Sequence, residues 1–261
     1  MRLRTLVRDA LYLNWAVPAD ALPAPPEPLR YQLREHAGRD WAFASALLFR
    51  NRGVHLPHLP LVRLSYPQLN LRLYALDGDG TPCVLFREML MPAWVGPAVR
   101  LVSQQPVSSA RFDYPEPSRD AEEDAWRWRV ARDGELVVTA RRGAPPAGEG
   151  PRLGGWEETV RFFRERPRGY AKTDGRLRRI ETEHPDVAVW PVAAEIADAS
   201  LLARLLPLDG EGSWPPLHSA FICPRIPFVF ALDLVPEVEL EGGRLPQAAA
   251  STRSWSTRAA L

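Results

Sequence analysis

Residues 69–86 read LNLRLYALDGDGTPCVLF, and this stretch points to the fold class. From Leu69 to Tyr74 apolar and polar side chains alternate strictly, which is the period of a β-strand. Asp77-Gly78-Asp79-Gly80 is a turn signal, and the apolar residues 83–86 begin a return strand. The sequence therefore predicts a β-hairpin here.

The segments on either side of this hairpin add strands and few helices. A continuous apolar run over 41–49 predicts a buried strand, and Asp133-Gly134 predicts a second hairpin that joins strands over 126–131 and 136–140. Apolar residues at helical spacing predict a helix over 155–166. The other predicted elements are a helix or strand over 3–15, a short helix over 92–102, strands over 176–183 and 187–192, a helix over 200–206, and two apolar runs within 219–234. This pattern is typical of an α+β fold that is mainly β, with an antiparallel sheet or barrel and a few short helices around it.

The composition excludes several classes of protein. The 261 residues are 46% hydrophobic and 25% charged with a formal net charge of +1, so neither disorder nor a basic nucleic-acid surface is expected. No segment reaches the roughly 18 apolar residues that a membrane helix needs, so no membrane partner is expected. Cys83 and Cys223 are too few for a disulfide framework or a zinc site, and we expect a cytoplasmic protein. The only lysine, Lys172, stands beside a turn signal, where we expect it to be exposed.

Several stretches, taken together in their order and spacing, resemble one family. They are Leu13-Asn14-Trp15-Ala16-Val17-Pro18 with Leu22-Pro23, the N-x-R-x-Y strand over 70–74, Phe86-Arg87-Glu88-Met89-Leu90-Met91-Pro92, the aromatic segment 162–170, Glu183-His184-Pro185 with Val189-Trp190-Pro191-Val192, and the segment 216–221. The chain resembles the YqjF-like bacterial family of unknown function, within the acetoacetate-decarboxylase-like superfamily. The resemblance implies one domain over 1–235 with a cone-shaped antiparallel β-barrel and a deep pocket. Residues 236–261 are predicted to form a disordered tail.

The sequence departs from the decarboxylase pattern at the position of its reactive amine. In the decarboxylases a lysine pair follows the proline that corresponds to Pro92, and one of the two lysines forms a Schiff base with a keto acid. Here the corresponding positions are Ala93 and Trp94. The resemblance therefore implies a pocket without Schiff-base chemistry, unless Lys172 enters it from elsewhere.

Five residues are candidates for ligand binding. Asn70, Arg72 and Tyr74 share one strand face, where Arg72 could hold a carboxylate through two hydrogen bonds. The alternative is that this face is solvated and that the leucines pack inward. Arg87 is a further polar candidate, and Trp94 is a candidate apolar wall of the pocket.

Two residues are candidates for acid–base catalysis. Glu88 could share the interior with Phe86 and Leu90, where burial would raise the pKa of its carboxyl group. The alternative is a structural ion pair between Glu88 and an arginine of a neighbouring strand. His184 could act as a general base, or it could simply hydrogen-bond to the backbone near its proline.

Three functions stay open at this point. The leading hypothesis is a protein that binds a small organic acid or carbonyl compound. The second is a lyase, hydratase or isomerase that acts on a keto or enol acid, and the third is an interaction protein whose pocket is closed by Trp94. No cofactor or metal is expected, because His55 and His58 lack further ligands at useful spacing. Homo-oligomerisation stays open.

Overall fold

The computed structural model describes residues 2–97, 99, 107–114, 125–144, 150–173, 176–206 and 214–232. The strands are β1 (Arg2–Pro18), β2 (Arg30–Tyr31), β3 (Arg34–His36), β4 (Arg39–His55), β5 (Leu64–Leu76), β6 (Pro82–Met91), β7 (Val107–Ser109), β8 (Arg111–Asp113), β9 (Ala125–Ala131), β10 (Glu135–Arg142), β11 (Arg168–Thr173), β12 (Arg176–Glu183), β13 (Trp190–Asp198) and β14 (Ser219–Leu232). The helices are α1 (Trp156–Arg164), α2 (Ser200–Leu205) and a 3-10 helix (Ala19–Ala21). The predicted α+β, mainly β class is confirmed.

Seven of the strands form a closed circuit of pairings. Their order is β1, β4, β5, β6, β11, β12 and β14, and β14 pairs with β1 again. All of these pairings are antiparallel except that between β6 and β11. A parallel neighbour needs a long crossover, and here the chain between the two strands carries β7 to β10 and α1. The sheet is therefore barrel-like but mixed, where a purely antiparallel one was expected.

A second sheet covers one face of this circuit. It consists of β8, β9, β10 and β13, and it joins the circuit where Trp190 of β13 pairs with Ile222 of β14. Leu71 of β5 lies in one apolar cluster with Trp128 and Val138 of the second sheet. The alternating leucines of β5 therefore pack between the two sheets.

Helix α1 packs against the opposite face of the circuit. Val160 and Phe163 are buried in an apolar cluster with Tyr74, and the ring centroids of Phe163 and Tyr74 are 5.0 Å apart. The helix ends at Arg164, two residues before its predicted end, because Pro167 disfavours the helical conformation in the residue before it. Both faces of β5 are thus covered, one by a sheet and the other by a helix.

Strand β14 runs unbroken through the prolines that interrupt its apolar pattern. Pro224 lies opposite Asp9, at a position that the β1–β14 ladder skips, and Asp9 has a φ of 52°. The missing N–H of Pro224 therefore costs no ladder hydrogen bond. This explains how the strand continues through Pro224, one of the two prolines that separate the predicted apolar runs.

Other boundaries differ by a few residues. The ambiguous segment 3–15 is a strand, and β13 begins at Trp190 instead of 187. Of the predicted helix over 92–102, residues 92–95 are not helical, residues 96, 97 and 99 are helical, and residues 98 and 100–102 lie outside the described residues. The predicted tail over 236–261 lies wholly outside them. Among the described residues, none of the helices is long and apolar enough to cross a membrane.

Candidate functional site

A cavity of about 70 Å³ lies inside the circuit of seven strands. Each of these strands contributes a lining residue, and the end of α1 adds Arg164 and Arg166. Phe49, Phe86 and Phe228 are among the side chains that form its apolar wall. Because one water occupies about 10–15 Å³ of such space, the volume suits roughly five water-sized groups, the size of a short organic acid.

Arg72 reaches the cavity from the polar face of β5. Its side chain is buried, with 7% of the residue exposed, and its Nη2 donates to the Tyr74 hydroxyl at 3.1 Å. The guanidinium carbon lies 5.1 Å from the ring centroid of Tyr12, which is cation–π distance. The polar face of β5 is therefore buried, and the interpretation of a solvated face is wrong.

Arg166 approaches the cavity from the segment that follows α1. Its Nη1 donates to Gln32 Oε1 at 2.7 Å, and its Nη2 donates to the Phe162 carbonyl oxygen. The guanidinium carbon also stacks 4.4 Å from the Phe162 ring centroid. Burial lowers the pKa of Arg166 to about 10, which still leaves the side chain protonated at neutral pH.

Arg164, the last residue of α1, differs from Arg72 and Arg166 because it forms an ion pair with a carboxylate. Its Nη2 donates to the carboxylate of Asp186, and its Nη1 donates to the Val187 carbonyl oxygen at 3.2 Å. The same contact holds the pKa of the Asp186 carboxyl below its ordinary value. The charge of Arg164 is therefore neutralised by Asp186, a carboxylate on the protein surface.

No acidic residue lines the cavity in the part of the chain that the structure describes. Arg72 and Arg166 form no ion pair with any described carboxylate. Burial raises the pKa of the Tyr12 hydroxyl above its ordinary value and that of the Cys223 thiol to about 12, so both groups are neutral. The cavity therefore carries a net positive charge, which attracts anions.

Asn70 offers the cavity a neutral hydrogen-bond donor. Gln68 Nε2 donates to Asn70 Oδ1 at 2.7 Å, and Asn51 Nδ2 donates to Gln68 Oε1 at 2.9 Å. In this row of amides, Asn70 Oδ1 is the acceptor. Asn70 Nδ2 has no hydrogen-bond partner among the described residues, and the residue lines the cavity.

A buried chain of polar side chains supports Arg72 from behind. The Tyr74 hydroxyl lies 2.7 Å from Ser45 Oγ and donates to the Phe163 carbonyl oxygen at 3.2 Å. Ser45 Oγ donates to Asn14 Oδ1, and Asn14 Nδ2 donates to Ser219 Oγ at 3.1 Å. Tyr74 is thereby fixed as an acceptor for the Arg72 guanidinium, which holds that cation in one orientation.

His184 lies at the side of the cavity formed by β14. The residue is half-buried, and its ring centroid is 5.4 Å from that of Phe228. Its Nδ1 lies 3.2 Å from the Pro185 carbonyl oxygen. His184 therefore combines the backbone contact expected of a histidine before a proline with a place in the cavity wall.

Comparison with models of known protein families gives a match over most of the chain. A family model named DUF2071, an uncharacterised conserved protein, matches residues 5–224. The chain belongs to the DUF2071 family. The expected YqjF-like resemblance is confirmed, and no curated protein matches the sequence significantly.

Solved structures share the fold of this DUF2071 chain at low sequence identity. The enduracididine biosynthesis enzyme MppR, complexed with the condensation product of pyruvate and imidazole 4-carboxaldehyde, has a TM-score of 0.59 and 11% identity over 88% of this chain and 87% of its own. MppR complexed with pyruvate has a TM-score of 0.55 and 11% identity over 88% of each chain. An acetoacetate decarboxylase-like enzyme from Sphingomonas wittichii RW1 has a TM-score of 0.53 and 14% identity over 87% of this chain and 89% of its own. These likenesses confirm the acetoacetate-decarboxylase-like fold.

The structure places Glu88 and Arg87 outside the cavity of the DUF2071 chain. The β5–β6 register shifts so that Arg72 pairs with Phe86 and Leu71 pairs with Glu88, which leaves Arg87 as the extra residue of a β-bulge. Glu88 therefore lies on the face opposite Phe86 instead of sharing the interior with it. It forms an ion pair at 3.4 Å, as the alternative interpretation expects, but the partner is Arg132, which follows β9 and does not belong to a strand next to β6. Arg87 is exposed.

Trp94 and Lys172 also lie away from the cavity. Trp94 is 61% exposed, and its ring centroid is 6.5 Å from that of Tyr66. Lys172 is exposed on β11, so the only lysine of the chain is not a lining residue. A lysine Schiff base is therefore absent from this cavity, and Trp94 does not fill the space.

The sequence prediction misses several lining residues. Arg164 and Arg166 have a signal, two arginines at the end of a predicted helix, but this pattern also suits a helix dipole. Gly169 has a steric role, because a Cβ at this position would lie 2.5 Å from Cε2 of Phe86. No group of three or more metal-ligating residues occurs among the residues described.

Proposed function

We propose that this protein binds a small organic acid or carbonyl compound in the cavity, with Arg72 as the anion anchor. The observation that carries the proposal is the pair of buried guanidinium groups, Arg72 and Arg166, in a cavity with no described acidic lining residue. A buried cation without a counter-ion is costly, so a carboxylate ligand supplies the missing charge.

The geometry supports a planar, oxygen-rich head group. A guanidinium carries five N–H donors, and Tyr74 accepts from one nitrogen of Arg72 only. Asn70 Nδ2 adds a neutral donor to the same cavity. One carboxylate can thus accept from Arg72 while a neighbouring carbonyl oxygen accepts from Asn70, which is the pattern of a 2-oxo acid.

The shared fold supports the same class of ligand. The MppR structures hold pyruvate and a pyruvate condensation product. Pyruvate is a short 2-oxo acid of the size that this cavity suits. Because no lysine lines the cavity here, we propose that the acid is held by hydrogen bonds and charge without a covalent bond.

A second candidate function is catalysis on a keto or enol acid, and the position of His184 favours it. In this proposal His184 is the acid–base group, and Arg72 stabilises an enolate oxygen. The ion pair of Glu88 with Arg132 takes Glu88 out of this role. Turnover tests this candidate: NMR of a keto-acid mixture incubated with the protein should show a product that His184→Gln fails to form. An unchanged mixture rejects it.

Binding can be tested directly with pyruvate as the probe. Native mass spectrometry of the freshly purified chain should show a discrete extra mass that is lost on denaturation. Calorimetry should show that pyruvate binds the wild type and that Arg72→Gln lowers its affinity about tenfold or more, as expected for a charge-assisted contact.

Arg129→Gln is the matched control for this test. Arg129 is exposed and pairs with Glu135 at 2.6 Å, away from the cavity. This variant should bind pyruvate like the wild type. Equal affinity in Arg72→Gln and the wild type would show that Arg72 is not the anchor. A wild type that binds neither pyruvate nor any other two- to five-carbon acid would reject the binding function itself.

A further inference from the structure

We infer that the natural ligand carries two separate negative groups, as a short dicarboxylate does. This inference rests on the proposed function and narrows its ligand class. The observation behind it is that two guanidinium groups on different elements around one cavity, Arg72 and Arg166, have no carboxylate partner among the described residues.

The two cations are close to each other. Their guanidinium carbons lie 5.7 Å (Arg72) and 5.0 Å (Arg166) from the ring centroid of Tyr74, so they are less than 11 Å apart. The positive charge of Arg72 also contributes to the lowered pKa of Arg166, after burial as the main cause. Repulsion between the two groups is thus part of the energy of the unliganded cavity.

Each cation has its own anchor, which keeps the two charges apart. Arg72 is held by the Tyr74 hydroxyl, whereas Arg166 is held by Gln32 and the Phe162 carbonyl oxygen. Neither guanidinium can swing to share one carboxylate without losing its neutral partners. Two fixed cations therefore suit two anionic groups better than one.

The titratable groups around the cavity in the part of the chain that the structure describes do not supply the missing charges. Burial raises the pKa values of Tyr12, Cys83 and Cys223, so these groups are neutral at pH 7. The carboxylate of Asp186 is paired with Arg164. The carboxylate of Asp77 is paired with Arg168 at 2.6 Å. A monoanionic ligand would therefore neutralise one cation and leave the other without a counter-charge.

Malonate and monomethyl malonate test the charge of the ligand with little change in size. Calorimetry on the full chain should show malonate binding about tenfold or more tightly than its monoester, as expected when a second charged group is paired in a buried site. Inorganic phosphate, which concentrates its charge on one centre, should bind more weakly than malonate.

The variants Arg166→Gln and Arg129→Gln assign this preference to the cavity. Arg166→Gln should lower malonate affinity to near that of the monoester, while Arg129→Gln should keep the wild-type ratio. Circular dichroism shows whether Arg166→Gln is folded, and if it is not, the ligand comparison on the wild type decides alone.

Three outcomes would overturn the inference. Equal binding of malonate and its monoester by the wild type would reject the second anionic group and leave the proposed acid-binding function intact. Phosphate binding as tightly as malonate would reject the separation of the two charges. The absence of binding by malonate, its monoester and pyruvate together would reject the proposed function as well.

Discussion

At the scale of single residues, Tyr74 links the cavity to the core. Its hydroxyl accepts from Arg72, lies next to Ser45 and donates to the Phe163 carbonyl oxygen, so one oxygen atom joins β5, β4 and α1. Its ring packs against Phe163 in the apolar cluster under α1. Tyr74 therefore contributes both to the position of the Arg72 guanidinium and to the packing of α1.

Removing this hydroxyl should weaken both properties. Tyr74→Phe leaves an N–H of Arg72 and the Phe163 carbonyl oxygen without the Tyr74 hydroxyl as their partner, which we expect to lower the free energy of unfolding by about 1–3 kcal/mol. Pyruvate affinity should fall too, because Arg72 loses its fixed orientation. Urea denaturation and calorimetry measure the two effects.

Tyr31→Phe is the control for the loss of a tyrosine hydroxyl. The Tyr31 hydroxyl donates to the Pro23 carbonyl oxygen at 2.7 Å near the surface, away from the cavity. This variant should keep its pyruvate affinity. A Tyr74→Phe protein that binds pyruvate as the wild type does would contradict the positioning role.

Gly169→Ala should reduce the cavity from the opposite side. The added Cβ would lie 2.5 Å from Cε2 of Phe86, so the Phe86 ring, which lines the cavity, must shift. We expect a loss of pyruvate affinity together with a destabilisation of about 1–3 kcal/mol from overpacking. Gly143→Ala is the control, since its Cβ would meet Ala193 at an ordinary 3.6 Å. Unchanged pyruvate binding in Gly169→Ala would show that Phe86 does not border the bound ligand.

The residue pattern of the site was predictable only along one strand. Alternation in 69–74 places Asn70, Arg72 and Tyr74 on one face, because the two-residue period is a local property of the backbone. Arg166 reaches the same cavity from nearly a hundred residues later, and no local period encodes that approach. Its burial beside Gln32 is a consequence of the tertiary fold.

At the scale of elements, α1 carries cavity residues at its C-terminal end. Its N-terminal end is fixed by Glu158, whose carboxylate accepts from the Gly155 N–H at 3.0 Å. This contact satisfies one of the N–H groups at the helix start that have no intrahelical acceptor. The stability of the helix start thus bears on the positions of Arg164 and Arg166.

Glu158→Ala should destabilise the protein by about 1 kcal/mol through loss of this cap. Its neighbour Glu157 is equally acidic and exposed but forms no such hydrogen bond, so Glu157→Ala serves as the matched control. Urea denaturation of the two variants gives the difference in the free energy of unfolding. Equal stability of the two variants would show that the cap contributes nothing measurable.

Strand β6 shows why element prediction fails at the site. The sequence predicts a strand here, and strict alternation would put Phe86 and Glu88 on one face. The bulge at Arg87 reverses the face from that residue onward. A bulge depends on the partner strand as well as on its own sequence, so a pattern within one strand does not reveal it.

At the scale of the whole molecule, His218 ties the start of β14 to the segment before α1. Its Nε2 lies 3.0 Å from the Pro151 carbonyl oxygen, and its Nδ1 lies 3.3 Å from Ser219 Oγ. Burial lowers the pKa of His218 below its ordinary value, so the folded protein favours the neutral ring.

The lowered pKa predicts a loss of stability in mild acid. Below about pH 6.5 the His218 side chain binds a proton in the unfolded chain but not in the folded protein, where its pKa is lower. The free energy of unfolding therefore decreases as the pH is lowered, until the pKa of the folded state is reached. Urea denaturation at pH 7.5 and pH 5.5 should show this fall in the wild type and in His36→Asn, whose histidine is exposed. His218→Asn should show a smaller fall. A fall of equal size in all three proteins would assign the pH dependence to other groups.

The strand pattern left an open sheet or a barrel as alternatives, and only the family resemblance favoured the barrel. Turn signals and alternation predict individual hairpins such as β5–β6, which are local pairings. The pairing of β1 with β14 joins residues more than 200 positions apart, and no pattern in the sequence of either strand predicts which strand it pairs with. The mixed character of the sheet, set by the parallel β6–β11 contact, has the same long-range origin.

The exposed Lys172 makes the molecule simple to label. It is the only side-chain amine in 261 residues, and it lies on the outside of β11, whereas the three cations of the cavity are guanidinium groups. An acylating dye or surface tether would thus modify one defined side chain together with the terminal amine, and would leave the arginines unmodified. Molecules attached through Lys172 would share one orientation on a sensor surface, and the residues that line the cavity would stay unmodified.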